Sequence, residues 1–414
     1  MRIKLSLMLV ILSASATAAN QNAAMQANPV DDAVQHINQI TDQIALLDDT
    51  PALALVIVDH GLVRLQRTIG RTRNDAGGQP IDANTLFRAA SVSKGFASTL
   101  TTLLVADQRL DFSDPVLAHV PQFQLKDPRA TQALTIENLL SQRTGLPSNA
   151  YDNLLEEGFS RGDLLRKLSQ VNPVCAVGTC YWYQNISYSL ISDVIEQATG
   201  TYFEYLVSER LFRPLKMTRA SFGMEALTEA RNAAQPHIWF QGSWQPTYVK
   251  PTYYQLPAAA GINLSLHDLT LWLNAQMGQR PDVLSEPVLT RVHQPLVKTP
   301  SEMWGPRWRH QRLENAHYAL GFRVYDYQGE TLIFHGGAVN GFRAFMVFSP
   351  DRQVGMAALW NSNSPRAWTL IPSFFDRLHK LPNVDWVQTN SLIPNPDVRR
   401  TAARRYGRTV SALQ

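Results

Sequence analysis

The sequence predicts an α/β (α+β) fold in which both ends of the chain contribute strands to one antiparallel sheet. Near the N-terminus, β-rich runs flank the turn pair His60-Gly61, at residues 52–59 and 62–69. Strand patterns return in the last third of the chain, at residues 318–326, 331–335, 343–349 and 355–361. Residues 111–307 carry mostly helical patterns broken by proline and glycine. This order favours a sheet covered by helices, plus an inserted and mostly helical lobe.

The helices are predicted from apolar residues that recur at helical spacing. One begins at Ser91 and continues to about Asp107, with Phe96, Leu100 and Leu103 directed to the core. Further helices are expected in the middle of the chain and at its end, at residues 187–200, 266–277 and 365–381. Turn residues separate the late strands, the clearest being Gln328-Gly329 and Pro350-Asp351-Arg352.

Composition divides the chain into three parts. Residues 1–19 combine two basic residues, an apolar run and a small-residue stretch, which is typical of a cleaved signal peptide. Residues 20–390 are expected to form one unit, with a sheet lobe at about 40–110 and 308–385 and a helical lobe at about 111–307. Residues 391–414 are a basic tail. Solvent exposure is the ordinary explanation of such a tail, and contact with anionic envelope polymers or lipid headgroups is the alternative.

The signal peptide predicts a periplasmic or secreted protein. No later segment offers about twenty uninterrupted apolar residues, so no transmembrane segment is expected after its removal. The net charge of +4 is small and the basic residues are scattered outside the tail, so we expect no nucleic-acid partner. A monomer is the expected oligomeric state.

A hydroxyl and an amine lie three residues apart in Ser91-Val92-Ser93-Lys94. Positions i and i+3 share one face of a helix, so the Lys94 amine could reach the Ser91 hydroxyl. That arrangement is one way of activating a serine nucleophile. The spacing also arises by chance in a chain of this length, so it needs support from elsewhere.

Support comes from Tyr183-Gln184-Asn185 and His335-Gly336-Gly337, which follow in order. Together the three motifs resemble the S-x-x-K, Y-x-N and [K/H/W]-x-G signature of the serine β-lactamase and penicillin-binding protein superfamily. The likeness is nearest to its class C and DD-carboxypeptidase branch. It extends over roughly residues 52–361, through similar flanking segments at 87–90, 139–147 and 257–263. The resemblance implies an active site in a cleft between two lobes.

The resemblance implies that Ser91 attacks a carbonyl carbon and becomes acylated. Lys94 and Tyr183 are both candidates to take its proton, and we assign the transfer to them jointly because coupled groups do not titrate independently. An ammonium on Lys94 would favour the phenolate of Tyr183. Asn185 would donate from its amide to a substrate carbonyl, although Asn185-Ile186-Ser187 also fits a glycosylation sequon.

The third motif is expected to lie on a strand that lines the cleft. Its glycines, Gly337 among them, would let the substrate backbone approach closely. The family pattern implies an oxyanion hole made by the backbone N–H groups of Ala338 and Ser91. His335 stands where class C β-lactamases carry lysine, so recognition of a substrate carboxylate should weaken unless this imidazole is protonated. Arg143 could supply the missing charge, with a surface salt bridge as its other role.

Cys175 and Cys180 are the only cysteines, and they precede Tyr183 closely. In an oxidising compartment two cysteines this close should pair and fix how the chain enters the site. Metal binding is the competing explanation, but no histidine lies nearby to complete a tetrahedral set. We expect no metal and no organic cofactor.

The leading hypothesis is an exported serine hydrolase that acylates Ser91 and acts on β-lactams, D-alanyl peptides of peptidoglycan or small esters and amides. The partner is then a small-molecule or peptidoglycan-derived substrate. Two alternatives stay open: a carboxylesterase of the same fold, and a penicillin-binding sensor that is acylated without turnover.

Overall fold

A computed structural model of the chain describes residues 29–47 and 50–388. The predicted signal peptide at residues 1–19 and the basic tail at 391–414 lie outside these described residues. Within them, no helix combines the length and the apolar character needed to cross a membrane.

The strands follow one another as β1 (Ala52–Asp59), β2 (Leu62–Gly70), β3 (Phe87–Arg88), β4 (Ser221–Phe222), β5 (His237–Phe240), β6 (Ser243–Pro246), β7 (Ile262–Leu264), β8 (Val297–Lys298), β9 (Leu313–Tyr318), β10 (Arg323–Tyr327), β11 (Glu330–Val339), β12 (Phe342–Ser349) and β13 (Val354–Trp360). Between β3 and β9 the chain is mostly helix and loop, and the strands in this part are short. The strands from β9 to β13 are longer.

The helices follow as α1 (Pro29–Leu46), α2 (Ser93–Ala106), α3 (Val116–His119), α4 (Pro128–Ala133), α5 (Ile136–Leu140), α6 (Asp152–Glu156), α7 (Arg161–Leu168), α8 (Leu190–Thr199), α9 (Phe203–Val207), α10 (Met224–Thr228), α11 (Pro257–Ala260), α12 (Leu266–Gln276), α13 (Glu286–His293), α14 (Arg307–Arg312) and α15 (Leu370–Leu378). Short 3₁₀ turns precede α2 and α15, at Ala90–Val92 and Arg366–Thr369.

One antiparallel sheet of eight strands is built from both ends of the chain, as the sequence predicts. Its order is β2-β1-β13-β12-β11-β10-β9-β8. The N-terminal hairpin β1–β2 joins the C-terminal strands through β1 and β13, where Leu53 lies opposite Trp360 and Val58 opposite Gly355. The predicted α/β class and the assembly of the sheet from both termini are confirmed.

Strand β1 shows how the sheet separates two cores. All of its residues are buried, and alternate side chains point to opposite faces. Ala54 and Val56 pack with α2 and the helices of the middle region, whereas Leu55 and Ile57 pack beneath α1 and α15. The sheet is thus covered by helices on both faces, and α2, which contains Lys94 of the first motif, lies on the first of them.

The predicted strand at 318–326 is wrong as a single element. Tyr318 ends β9 and Arg323 begins β10, because the chain reverses at Gly321 with φ +70°. A Cβ at Gly321 would lie 2.6 Å from the carbonyl oxygen of Lys94, so only glycine fits against α2 there. Strand β11 is also longer than predicted and contains the whole third motif.

Candidate active site

Ser91 lies on a strained turn at the start of α2. The preceding residue, Ala90, has φ +48°, a left-handed conformation that a non-glycine residue adopts only at a cost. Strand β7 holds this turn on both sides: Ala89 N–H donates to Ile262 O at 2.9 Å, and Ile262 N–H donates to Ser93 Oγ at 3.1 Å. The turn leaves Ser91 partly exposed in a cleft.

Lys94 is fully buried beside Ser91. Its Nζ lies 3.3 Å from Ser91 Oγ, 2.7 Å from Asn185 Oδ1 and 3.1 Å from Ala259 O. Burial lowers the pKa of Lys94 well below 10.5. A neutral amine has two hydrogens, which the two carbonyl oxygens accept, so its lone pair is left for the Ser91 hydroxyl. Ala259 belongs to segment 257–263, which the resemblance included without a role.

Tyr183 lines the cleft together with Ser91. Its ring also lies over Lys94, with Nζ 4.7 Å from the ring centroid. Burial raises the pKa of Tyr183 above its ordinary value of 10.0, against the smaller lowering effect of the neighbouring Ser91 side chain. The sequence argument expected the two groups to share one mobile proton, with dehydration lowering the pKa of Lys94. Desolvation favours the neutral amine and the neutral phenol, because a buried site penalises both charges.

Asn185 connects Lys94 to a carboxylate that the motifs did not indicate. While its Oδ1 faces Lys94, its Nδ2 donates to Asp152 Oδ2 at 2.7 Å. Tyr253 donates its hydroxyl to the same carboxylate oxygen at 3.2 Å. One amide hydrogen of Asn185 is left for another acceptor. The side chain is 6% exposed, so the structure gives the sequon at this position little access to solvent.

Strand β11 runs directly beside the nucleophile turn. A Cβ on Gly337 would overlap the carbonyl oxygen of Ala89 and lie 3.1 Å from the backbone nitrogen of Ser91. Only glycine therefore lets the strand come this close, which gives the glycine of the third motif a physical reason. Ala338 is exposed and lines the cleft with Ser91. The oxyanion role of their two N–H groups stays a prediction.

His335 is buried and uncharged. Its Nδ1 lies 2.8 Å from Gly336 O, which only accepts, so Nδ1 carries the hydrogen. Nε2 is then an acceptor for the Tyr318 hydroxyl at 3.2 Å. Burial, together with the nearby positive charge of Arg323, holds the pKa of His335 well below 6.5. Both ring nitrogens are engaged, so a substrate bond from this ring would have to displace one of these partners.

Near His335, the positive charge in the cleft comes from Arg323 on β10, the strand that pairs with β11. Its guanidinium pairs with Glu302 Oε1 at 2.7 Å and lies 5.6 Å from the ring centroid of Tyr183. Arg323 lines the cleft. Arg143, the residue considered for this charge in the sequence analysis, instead pairs with Glu137 and lies outside the cleft lining.

Gln142 holds the backbone of the Tyr183 motif. Its side-chain Oε1 accepts from Gln184 N–H at 2.7 Å, and its Nε2 donates to Gln184 O at 3.0 Å. The side chain is fully buried, and its own backbone has φ +62°. Because Gln184 lies between Tyr183 and Asn185, this pair of bonds fixes the direction in which both side chains point.

We expect Gln142→Leu to destabilise the protein by about 2–4 kcal/mol, because it leaves a buried N–H and C=O without partners. Acylation of Ser91 should slow with it. Thermal unfolding and labelling rates measure the two effects. Gln108→Leu is the matched control, since Gln108 is exposed and also left-handed, with φ +58°. An equal loss in both variants would assign the effect to backbone strain and not to the lost bonds.

Cys175 and Cys180 form a disulfide, as predicted. The loop it closes is bound to the segment that contains Gln142. Val174 N–H donates to Gly145 O at 2.8 Å, Gly178 N–H to Arg143 O at 2.8 Å, and Trp182 N–H to Gln142 O at 3.0 Å. The disulfide therefore lies where the chain enters the Tyr183 motif.

Replacing both cysteines with serine should lower the free energy of unfolding by about 2 kcal/mol, the loop-closure value expected for so short a loop. Cys175 and Cys180 are five positions apart. Denaturant titration of oxidised protein against the double variant measures the loss. Thiol counting in denaturant without reductant should find no free thiol, and two free thiols would contradict the pairing.

The motif residues line a cleft of about 1390 Å³. Its lining includes carboxylates and amides from 149–157 and the guanidinium groups of Arg309 and Arg323. Aromatic side chains make up much of the remaining wall, namely Trp239, Trp244, Tyr248, Tyr253, Trp308, Phe334 and Trp368. Across residues 29–47 and 50–388, no three His, Cys, Asp or Glu side chains gather in a way that could hold a metal ion.

Asp152, Arg323 and the role of Gln142 were missed by the sequence analysis. Asp152 follows Tyr151, whose φ of +66° turns the chain toward the cleft, and nothing local in sequence marks that turn. Arg323 reaches the site only because β10 pairs with β11, where it lies opposite Phe334. Gln142 lies in segment 139–147, which is part of the family resemblance but received no role from it.

A family model described as Beta-lactamase matches residues 34–370. Protein flp of Staphylococcus aureus (strain COL) is 26% identical over 340 residues, which cover 80% of this chain and 64% of that protein. Unguisins hydrolase ungD' of Aspergillus campestris (strain IBT 28561) is 25% identical over 345 residues, which cover 76% of this chain and 58% of that protein. The chain spans less than two thirds of the length of these relatives.

Two solved structures share the fold. The octameric penicillin-binding protein homologue from Pyrococcus abyssi superposes with a TM-score of 0.74 at 21% identity, over 89% of this chain and 80% of that chain. A class C beta-lactamase mutant superposes with a TM-score of 0.66 at 20% identity, over 84% of this chain and 96% of that chain.

Proposed function

The chain belongs to the beta-lactamase family, and from that premise we propose that it is a serine hydrolase that forms an acyl-enzyme on Ser91 and releases it with water. One observation carries the proposal. The Ser91 hydroxyl lies 3.3 Å from the amine of Lys94, and the ring of Tyr183 lies beside the same amine, on a turn that opens into a cleft. The hydrolase named among the relatives is consistent with this activity.

In the proposed acylation the neutral amine of Lys94 takes the proton of Ser91 as its oxygen attacks the substrate carbonyl. The ammonium that results is close to the ring of Tyr183, which can then pass its own proton to the leaving group and recover one from Lys94. Deacylation reverses the roles, with water in place of the leaving group. The backbone N–H groups of Ser91 and Ala338 would stabilise the oxyanion, a contribution typically of about 3–4 kcal/mol.

The proposed substrates are amides and esters such as β-lactams and D-alanyl peptides. A carboxylesterase is the second candidate, and the neutral state of His335 favours it. Without a charge on His335, carboxylate recognition at this end of the cleft depends on Arg323, which is already paired with Glu302. A substrate without a carboxylate would not have to compete for that guanidinium.

We also propose that the protein acts outside the cytoplasm as a monomer. The Cys175–Cys180 disulfide supports this location, because disulfides persist mainly in oxidising compartments. Cell fractionation with N-terminal sequencing of the mature chain tests it.

A panel of three acyl donors tests the function: a chromogenic cephalosporin, a D-Ala-D-Ala peptide and a p-nitrophenyl ester. Intact-mass analysis should find one acyl adduct, which peptide mapping locates at Ser91, and the adduct should disappear on further incubation. An adduct that persists would favour a penicillin-binding sensor. Turnover of the ester alone would favour the carboxylesterase. Failure of all three donors to acylate or turn over would overturn the proposal.

A further inference from the structure

The side-chain amide of Asn185 is bound at both ends by charged or titratable groups. Its Oδ1 lies 2.7 Å from Lys94 Nζ, and its Nδ2 donates to Asp152 Oδ2 at 2.7 Å. An asparagine amide offers one acceptor oxygen and two donor hydrogens. The contacts to Lys94 and Asp152 use the oxygen and one hydrogen, so one hydrogen remains for a substrate.

The carboxylate of Asp152 determines which way this amide points. In the reversed orientation the amide hydrogens of Asn185 would face the N–H groups of Lys94, and its oxygen would face a carboxylate that only accepts. Both contacts would then be repulsive. A neutral acceptor in place of Asp152 would leave the orientation less strongly determined, because an amide or a water can also donate.

Asp152 occupies an electrostatically unfavourable place. It lines the cleft at the start of α6, where burial raises the pKa of its carboxyl. Tyr253 donates to Oδ2, whereas Oδ1 is buried and has no hydrogen-bond partner within the part of the chain that the structure describes. The hydrogen-bond partners of Asp152 are site residues, so the cost of burying this charge is offset at the site and not in the core.

The charge of Asp152 also acts on Lys94. Burial disfavours the ammonium of Lys94, the negative charge of Asp152 favours it, and the positive charge of Arg323 opposes it. The titratable or charged groups that face this pair are Tyr183, Tyr188, Tyr253, Glu156, His335 and Arg323. Glu156, the carboxylate in that set, pairs with Lys250, whereas Asp152 bonds to the amide that contacts Lys94.

We propose that Asp152 is a positioning residue of the acylation site: through Asn185 it orients the amide hydrogen offered to the substrate, and its charge balances the ammonium that forms when Lys94 takes the Ser91 proton. The inference rests on the proposed acylation of Ser91. It adds a carboxylate to a site whose sequence motifs contain none.

Two variants separate orientation from charge. Asp152→Asn can keep a carbonyl oxygen facing Asn185 but removes the negative charge, and Asp152→Ala removes both. We expect acylation of Ser91 to slow about tenfold in the first and about a hundredfold in the second, with unchanged thermal stability. Asp163→Asn is the matched control. Its side chain is 48% exposed on α7, outside the cleft lining, and the variant should acylate within about twofold of the wild type.

A titration of Lys94 by ¹³Cε-lysine NMR needs no substrate. The Lys94 resonance is assigned by its absence in Lys94→Met. In Asp152→Asn its midpoint should fall by about one pH unit, because the ammonium loses a nearby opposite charge. Asp163→Asn should leave the midpoint in place. In acylation experiments the rising limb of the pH profile should move to lower pH by the same amount.

The outcomes separate the two proposals. If the wild type acylates and Asp152→Ala matches it in rate and in the Lys94 midpoint, the role of Asp152 is wrong and the serine hydrolase stands. If the wild type is never acylated, the proposed function falls, and the NMR midpoint alone decides whether Asp152 balances Lys94. Should Asp152→Ala unfold, the acylation rate and the Lys94 midpoint of Asp152→Asn are compared with the wild type instead, because this variant retains the shape of the side chain.

Discussion

Ser91→Ala should lower turnover of the best substrate by about 10⁵-fold or more and abolish the covalent adduct, since the variant has no hydroxyl to attack the carbonyl carbon. The fold should survive. Ser91 is partly exposed, and its side chain hydrogen-bonds Lys94 rather than a core element of the fold. Steady-state kinetics and intact-mass analysis measure the loss, with a thermal melt to show that the variant is folded.

Ser93, two positions along the chain, is the matched control for this loss. It is fully buried, and its Oγ accepts from Ile262 N–H at 3.1 Å, so it is not available to a substrate. Ser93→Ala should lose about 1 kcal/mol of stability through that bond and still carry the adduct on Ser91. Labelling that persists in Ser91→Ala and vanishes in Ser93→Ala would move the nucleophile and contradict the assignment.

Ser91 and Lys94 could be proposed from sequence because they lie three positions apart, and Tyr183 because the three motifs together resemble a known family. Three positions on one helix are enough to bring Lys94 to Ser91, and Asn185 follows Tyr183 by two residues. The order of strands and helices likewise indicated a sheet from both termini, because the change in hydrophobic period is local. Local patterns do not predict the register of β1 on β13, because it depends on side chains about 300 positions apart, such as Leu53 and Trp360.

The charge states of the site residues could not be predicted from the sequence, and the reason is physical. Whether Lys94 is an ammonium and Tyr183 a phenolate depends on how much water reaches them, and burial is a property of the whole fold. The same holds for His335, whose neutral form follows from Gly336 O on one side and the Tyr318 hydroxyl on the other. Asp152 and Arg323 enter the site through a left-handed turn and a strand pairing, so no spacing rule finds them.

Lys94→Met should slow acylation of Ser91 by about 10³-fold, because the variant loses the amine that accepts the proton. The pH profile gives the sharper result. The pKa of Lys94 lies well below 10.5, so the neutral amine becomes available as pH rises through that lowered value. In the wild type the acylation rate should therefore rise earlier than an ordinary lysine allows. It should then stay level to pH 10, since burial raises the pKa of Tyr183 above 10.0 and keeps its phenol neutral. The residual activity of Lys94→Met should lack this rising limb.

Lys94→Arg distinguishes proton acceptance from simple positive charge at this position. Arginine remains protonated in proteins, so it can donate to Asn185 Oδ1 and Ala259 O but cannot take the Ser91 proton. We expect Lys94→Arg to be as slow as Lys94→Met once thermal melts show both to be folded. Activity near the wild-type level in Lys94→Arg would mean that Lys94 acts as a fixed cation. The proton of Ser91 would then have to pass to Tyr183, against the direction in which burial shifts that phenol.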